Sequence, residues 1–158
     1  MNVCDDRRPD ATMDPWCLVE LGDGDEVLFG FAVEHARTGG LSWVRSTAVV
    51  WLDETAGRAR TASGRRYALG RRTTMADLPT EEARIAFALL VGPHLADPDA
   101  GPPVDGDPAA AAAWVAACKV ARHLGLDAPP LSDPAAVARF ITSNIESYAL
   151  LRSGRRPS

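Results

Sequence analysis

Reactive side chains are scarce in this sequence of 158 residues. It contains three cysteines, three histidines and a single lysine, whereas arginine supplies the other sixteen basic residues. The cysteines are too widely spaced for a zinc motif or a disulfide framework, so we expect reduced thiols. The histidines fall in three different predicted elements, which disfavours a metal site. We therefore expect neither a metal nor any other cofactor. These residues are Cys4, Cys17, Cys118, His35, His94 and His123.

Long apolar runs are missing as well. No segment approaches the roughly 18 apolar residues of a membrane-spanning helix, and the N-terminal residues MNVCDDRRPD lack the apolar core of a signal peptide. We therefore expect a cytoplasmic protein without membrane contact. Its composition, 46% hydrophobic and 24% charged, is that of a soluble globular domain. The preference for arginine over lysine, with abundant Ala, Gly, Asp and Pro, is typical of a GC-rich genome and favours a bacterial or phage source.

The familiar motifs of catalysis are absent from the sequence. There is no G-x-S-x-G motif and no glycine-rich phosphate loop, since Gly22-Asp23-Gly24 separates two predicted strands. Cys17 and His35 could meet across adjacent strands, but the pair lacks a third residue to orient the histidine. The aspartates between residues 97 and 107 lack the glycine and ligand positions of a calcium loop. We expect a protein that is not an enzyme.

Strand patterns dominate the stretch from Leu41 to Arg72. Residues 41–52 alternate, with Trp43 and Trp51 on the same face, and their β-branched and aromatic content predicts a central strand. A hairpin loop that ends in glycine follows. Two short strands are predicted at residues 58–61 and 65–69, and the arginines of the second are typical of a guarded sheet edge.

Two further strands are predicted before this stretch, at residues 16–21 and 27–33. Residues 1–14 are polar and without a period, so we expect a flexible tail. The five strands would follow one another as antiparallel neighbours over residues 15–72. Such a sheet either lies open or forms a half-open barrel.

Helical signals replace the strand pattern after residue 76. Capping residues and prolines predict helix starts at residues 77–79, 107–108 and 132–134. The fold class is therefore α+β: a five-stranded antiparallel sheet or half-open barrel followed by three helices over residues 77–152. We expect one domain, residues 15–158.

The last two predicted helices could form either a helix-turn-helix motif or a plain helical hairpin. The residues from Val120 to Gly125 place Ala four residues before Gly, as a helix-turn-helix does. The following turn is too long for that motif, because it contains Pro129 and Pro130 and is followed by Pro134. The hairpin fits better.

Charge is distributed unevenly along the chain, whose net charge is -4. Between Gly57 and Thr73 there are six arginines and no acid, whereas residues 97–107 contain four aspartates and no base. An arginine-rich hairpin with aromatic neighbours suits a binding surface, because Trp, Tyr and Arg concentrate binding energy at interfaces. The predicted partner-binding residues are Arg58, Arg60, Arg65, Arg66, Tyr67, Arg71, Arg72 and Trp43, with Trp51 as an alternative to Trp43.

These observations predict a non-catalytic interaction protein that binds a macromolecular partner, either a protein or a nucleoprotein complex. A narrower form of this hypothesis is an inhibitor or adaptor of a larger complex, such as a defence system. The alternative is a nucleic-acid-binding protein that uses the hairpin of residues 57–73. Against both, alternation would split the arginines between two faces, and edge charges also serve to prevent aggregation. Trp51 and Trp114 are expected in the core, whereas Trp16 and Trp43 are better candidates for a surface.

Overall fold

The computed structural model describes residues 8–35, 40–104 and 106–153. Within these ranges the chain forms five β-strands followed by three α-helices, as the α+β prediction required. The strands are β1 (Ala11–Glu20), β2 (Glu26–Val33), β3 (Ser42–Asp53), β4 (Arg58–Thr61) and β5 (Arg66–Leu69). The helices are α1 (Glu81–Leu90), α2 (Pro108–Leu124) and α3 (Pro134–Arg152). Short 3₁₀ turns lie at Met75–Asp77, Gly92–His94 and Pro98–Ala100.

The sheet is a closed barrel rather than an open or half-open one. Consecutive strands pair antiparallel, and β5 returns to pair with β1 in parallel, through Ala11 and Tyr67 among others. An up-and-down order of five strands leaves the first and last pointing the same way, so closure requires a parallel pair. The predicted sheet edge at β5 is therefore wrong, because β5 has a partner on each side.

The first strand begins at Ala11, five residues before the predicted start at Trp16. Residues 11–14 therefore belong to the sheet and not to the predicted tail, whereas residues 1–7 lie outside the described residues. Ala11 and Met13 are buried in the barrel, although Pro15 interrupts the alternation that would have revealed them. The chain compensates with an irregular register between Met13 and Trp16.

Gly30 faces this irregularity from β2. A Cβ atom at Gly30 would lie 2.5 Å from the carbonyl oxygen of Pro15 and 3.1 Å from the Cα of Trp16. Only glycine allows the two strands to approach so closely. The glycine in this largely apolar strand is thereby explained by the close approach of β1.

Buried side chains form two clusters, one on each side of the barrel wall. The inner cluster draws on all five strands and fills the barrel: Ala11, Met13, Trp16, Leu28, Ala32, Val44, Ala59 and Tyr67. The outer cluster lies between the outside of β1, β2 and β3 and the helix α1: Cys17, Val19, Leu21, Val27, Phe29, Trp43, Leu78, Ala83, Ala86, Phe87 and Val91. Side chains at successive strand positions point to opposite faces, so β3 contributes Trp43 to one cluster and Val44 to the other.

Side-chain caps begin all three helices. The Thr80 side chain accepts a hydrogen bond from the Ala83 amide, Asp107 accepts one from Ala109, and Asp133 accepts one from Ala136. Gly125, with φ of 69°, ends α2 in the left-handed conformation. Capping also accounts for part of the acidic segment at 97–107, because Asp97 caps a 3₁₀ turn in the same way as Asp107 caps α2.

Arg122 joins the helices to the barrel. Its guanidinium donates to the Leu41 carbonyl (2.6 Å), forms an ion pair with Glu82 of α1, and lies 5.0 Å from the ring centroid of Phe31 in β2. Burial is the main influence on the partner and raises the pKa of the Glu82 carboxyl above its usual 4.5. One side chain of α2 thereby contacts α1 and two neighbouring segments of the sheet.

The connection between α2 and α3 turns back along α2. Trp114 Nε1 donates to the carbonyl of Pro129 at 3.1 Å, although Pro129 follows the C-terminal end of the helix. Near that end, the ring of His123 packs edge-on against Tyr148, late in α3, with centroids 5.3 Å apart. The two helices thus run in the same general direction, and the predicted helical hairpin is wrong.

Candidate interaction surface

The outer faces of β4 and β5 carry three of the predicted arginines. In the register, Arg60 of β4 lies opposite Trp51 of β3 and opposite Arg66 of β5. Ala59 and Tyr67 alternate with these residues and point into the barrel. Arg58, two residues from Arg60, shares its face. The expected split of the arginines between two faces therefore does not occur for this set.

Trp51 and Val50 lie next to these arginines and are exposed to 37% and 57%, respectively. The register between β3 and β4 is irregular from Val49 to Trp51, which leaves Val50 without a partner in β4. A β-bulge of this kind redirects side chains out of strict alternation. As a result two consecutive apolar residues are exposed beside Arg60. The candidate surface is defined by Val50, Trp51, Arg58, Arg60 and Arg66.

The arginines of this surface differ in their surroundings. Arg58 lies opposite Asp53 in the register, so a carboxylate is close to it. Arg60 lies between an indole and another guanidinium, and within the described ranges its side chain makes no hydrogen bond or ion pair. Like charges directly opposite each other on adjacent strands destabilise a sheet. The register therefore places a pair of like charges, Arg60 and Arg66, within the candidate surface. Arg65, half-buried, precedes β5 at the tight turn.

Arg71 and Arg72, which the sequence predicts to bind a partner, form ion pairs within the barrel. Arg71 forms an ion pair with Asp14 at 2.9 Å, and Arg72 forms one with Glu54. The Arg72 guanidinium also lies 5.0 Å from the ring centroid of Trp16. Both arginines follow β5, and their ion pairs connect this end of the strand to the acidic residues of two other segments of the barrel.

Tyr67 and Trp43 are buried and do not belong to the surface. Tyr67 is 2% exposed inside the barrel and shares a 3.0 Å hydrogen bond with His35, and Trp43 is 9% exposed beneath the helices. The assignment of the tryptophans is reversed for three of the four: Trp16 and Trp43 are buried, whereas Trp51 is the exposed one. The side chains of Trp43 and Trp51 both lie on the outside of the barrel, but only Trp43 is covered by the helical layer.

The helices cover only part of the outside of the barrel. Helix α1 packs on the outside of β1, β2 and the first half of β3. No buried residue of β4 or of the second half of β3 belongs to that outer cluster. The candidate surface therefore lies on a part of the barrel wall that this helical layer does not cover.

Cys17 and His35, which could have met across adjacent strands, do not form a reactive pair. Cys17 lies in the outer cluster opposite Phe29, where burial raises the pKa of its thiol to about 11. His35 follows Val33, which pairs with Thr12 at the end of the β1–β2 pairing that is remote from the hairpin turn. Burial also raises the pKa of the Cys118 thiol to about 12. Neither cysteine is a thiolate near neutral pH, so neither is activated as a nucleophile.

Metal-binding clusters and membrane-spanning helices are both absent from the described part of the chain. No three His, Cys, Asp or Glu side chains there lie close enough together to hold a metal ion. None of the helices there combines the length and the apolar character needed to cross a membrane.

Comparison with known proteins gives no match: neither a family model, nor a curated protein, nor a solved structure is significantly similar to this chain.

Proposed function

We propose that this protein is a non-catalytic interaction protein that binds an acidic macromolecular partner, in the first place a protein, through the candidate surface. The observation that carries the proposal is the row formed by Trp51, Arg60 and Arg66 across three adjacent strands, on the side of the barrel without helices. Exposed tryptophan and arginine side chains, packed together, are the residues that contribute most to protein interfaces.

Several properties of the surface support a protein partner. Val50 and Trp51 offer an apolar centre, and the arginines around it complement carboxylates. The net charge of the whole chain is -4, so acidic residues outnumber basic ones outside this surface, and the asymmetry orients the molecule toward an acidic partner. An inhibitor or adaptor of a larger complex would act through the same surface.

The proposal is tested by site-specific photo-crosslinking in cells of the source organism. A benzoylphenylalanine residue is placed at Trp51, and a matched one at Thr142, which is exposed on α3. We expect the probe at Trp51 to capture a defined protein, and Arg60→Glu to abolish the product. The matched change Arg139→Glu, on the exposed side of α3, should leave it intact. Identical products from both probe positions would contradict the proposal.

Nucleic-acid binding is the second candidate, because residues 57–73 include no acid and Arg58 and Arg60 share one face with Trp51. The burial of Tyr67 and Trp43 weakens it, since only one aromatic ring remains for stacking bases. Retention of the protein on single-stranded DNA at several salt concentrations tests it. Binding that falls steeply with salt and is lost in Arg58→Ala with Arg60→Ala would favour this candidate over a protein partner.

A further inference from the structure

The second half of β3 has a strand on only one side. Pairing between β2 and β3 ends at Val27 and Ala48, because β2 begins at Glu26. Strand β3 nevertheless continues to Asp53, and from Val49 onward it pairs with β4 alone. Residues 50–53 therefore extend beyond the last pair with β2. We call these residues the β3 overhang.

A strand with one neighbour leaves half of its main-chain groups unused. In an antiparallel pair, successive residues point their N–H and C=O groups alternately toward the partner and away from it. Within the β3 overhang, some of these groups consequently face away from β4, on the side where β2 has ended. Apart from the pairing with β4, no main-chain hydrogen bond from these residues to another segment is found in the described part of the chain.

The side chains of the overhang are not those of a protected edge. Proteins usually guard a free strand with lysine, proline, inward-pointing charges or a β-bulge, and of these the β3 overhang has the bulge at Val50. Here Val50 is 57% exposed and Trp51 is 37% exposed, and the charged residue Asp53 comes only at the end. Apolar exposure beside unused main-chain donors and acceptors is the arrangement that accepts an added strand.

We infer that the partner binds by adding an extended segment to the β3 overhang, as a further strand beside Val50 and Trp51. This inference rests on the proposed function and specifies its binding mode. The occupant is a polypeptide, because main-chain pairing needs peptide groups. Its outward face carries acidic side chains that reach Arg60, with an apolar side chain between them that covers Trp51.

The probe is the peptide acetyl-Thr-Asp-Thr-Val-Thr-Asp-Thr-amide, which places Asp, Val and Asp on one face when extended. Two further versions carry N-methyl groups, one on each alternate set of residues. Binding is followed by NMR through the amides of residues 50–53 and the Trp51 indole. Only one of the two alternate sets can face β3, so the two methylated peptides should behave differently.

We expect the unmodified peptide to shift and protect amides of residues 50–53. One methylated version should bind at least about tenfold more weakly than the unmodified peptide, because it loses main-chain hydrogen bonds to β3. The other version should bind nearly as tightly as the unmodified peptide. Arg60→Glu should weaken the binding of the unmodified peptide, whereas Arg139→Glu should leave it unchanged.

Two results would overturn the inference. The first is a peptide that shifts the Trp51 indole but binds equally well in all three forms, which would leave a side-chain surface and the proposed function intact. The second is the absence of any change at residues 50–53. Failure of the proposed function itself would appear separately, as loss of position-specific crosslinking at Trp51.

Discussion

The two halves of β3 belong to the same strand but have different surroundings. In the first half, Ser42, Trp43 and Val44 are all buried, between the barrel interior and the helical layer. In the second half, Val50 and Trp51 are exposed although they are as apolar as the residues before them. Burial along this strand therefore depends on whether the helical layer covers it, and not on the hydrophobicity of the strand itself.

The tryptophans at 43 and 51 make this comparison quantitative. Both lie on the outside of the barrel wall, eight positions apart in the same strand. Trp43 stacks on Phe29 with ring centroids 5.6 Å apart and has Phe31 at its edge, whereas Trp51 has an arginine as its cross-strand neighbour. We therefore expect the Trp43 indole to stabilise the fold and the Trp51 indole to be available for binding.

The largest effect is expected for Trp43→Ala. The substitution empties the centre of the outer cluster, and a buried aromatic residue replaced by alanine costs about 3–5 kcal/mol of the free energy of unfolding. Urea unfolding at neutral pH measures it. A loss similar to that of Trp51→Ala would contradict the distinction between the covered and the bare half of the strand.

Arg122→Ala tests the attachment of the helical layer. It removes a hydrogen bond to Leu41, a contact with Phe31 and the partner of the largely buried Glu82. Breaking a buried ion pair from one side costs about 3 kcal/mol or more. Urea unfolding should show this loss, and Arg139→Ala on the exposed side of α3 serves as the control, with a change within about 0.5 kcal/mol.

Gly30→Ala tests the closure of the barrel beneath that layer. The new Cβ would collide with the Pro15 carbonyl in β1, and relief by a backbone shift should cost about 1–3 kcal/mol. The matched change Gly64→Ala adds a Cβ where no atom lies within 4 Å, so its cost comes only from its φ of 86°. Thermal unfolding of both variants separates crowding from conformational strain. Equal losses would argue against a tight approach of β1 and β2.

The sequence determines much of this fold and little of the candidate surface. All five strands and three helices were predictable because alternation, caps and glycines act over a few residues. The early start of β1 was missed because Pro15 breaks the pattern of Ala11 and Met13, which is completed by residues of β5. Closure through a parallel pair depends on residues more than fifty positions apart, and no local pattern encodes it.

The sequence shows that arginine is concentrated in this hairpin, but it does not show which of the arginines share a face or form ion pairs within the barrel. Arg71 and Arg72 pair with Asp14 and Glu54, and these pairs form only when the barrel closes. The exposure of Trp51 depends on where β2 ends, which the alternation of β3 does not reveal. A strand predicted to be longer than its neighbours is the one signal that could have indicated it.

A small pH effect is expected from Glu82, which helps hold α1 to α2. Burial raises the pKa of its carboxyl above 4.5, so the folded protein binds this proton more tightly than the unfolded chain does. The stability from this group is therefore present at low pH and is lost as the pH rises through the raised pKa. Unfolding of the wild type and of Glu82→Gln from about pH 4 to about pH 7 should show the wild type falling relative to the variant. A relative rise would contradict the assigned direction.

The smallest effect on stability is expected for Trp51→Ala, with a change in the free energy of unfolding of about 0.5 kcal/mol or less. Its ring is exposed and its removal leaves no buried cavity. Urea unfolding measured alongside Trp43→Ala gives the contrast directly. A loss above about 2 kcal/mol would place Trp51 in the core.

Residue-resolved amide hydrogen exchange of the free protein tests the central claim most directly, because it reports main-chain cover along β3 without a partner. We predict strong protection of the amides in residues 42–44 that face β2, and rapid exchange of the amides in residues 50–53 that face away from β4. Protection of every amide from Val50 to Asp53 would mean that this half of the strand is covered on both sides, and would rule out a free edge there.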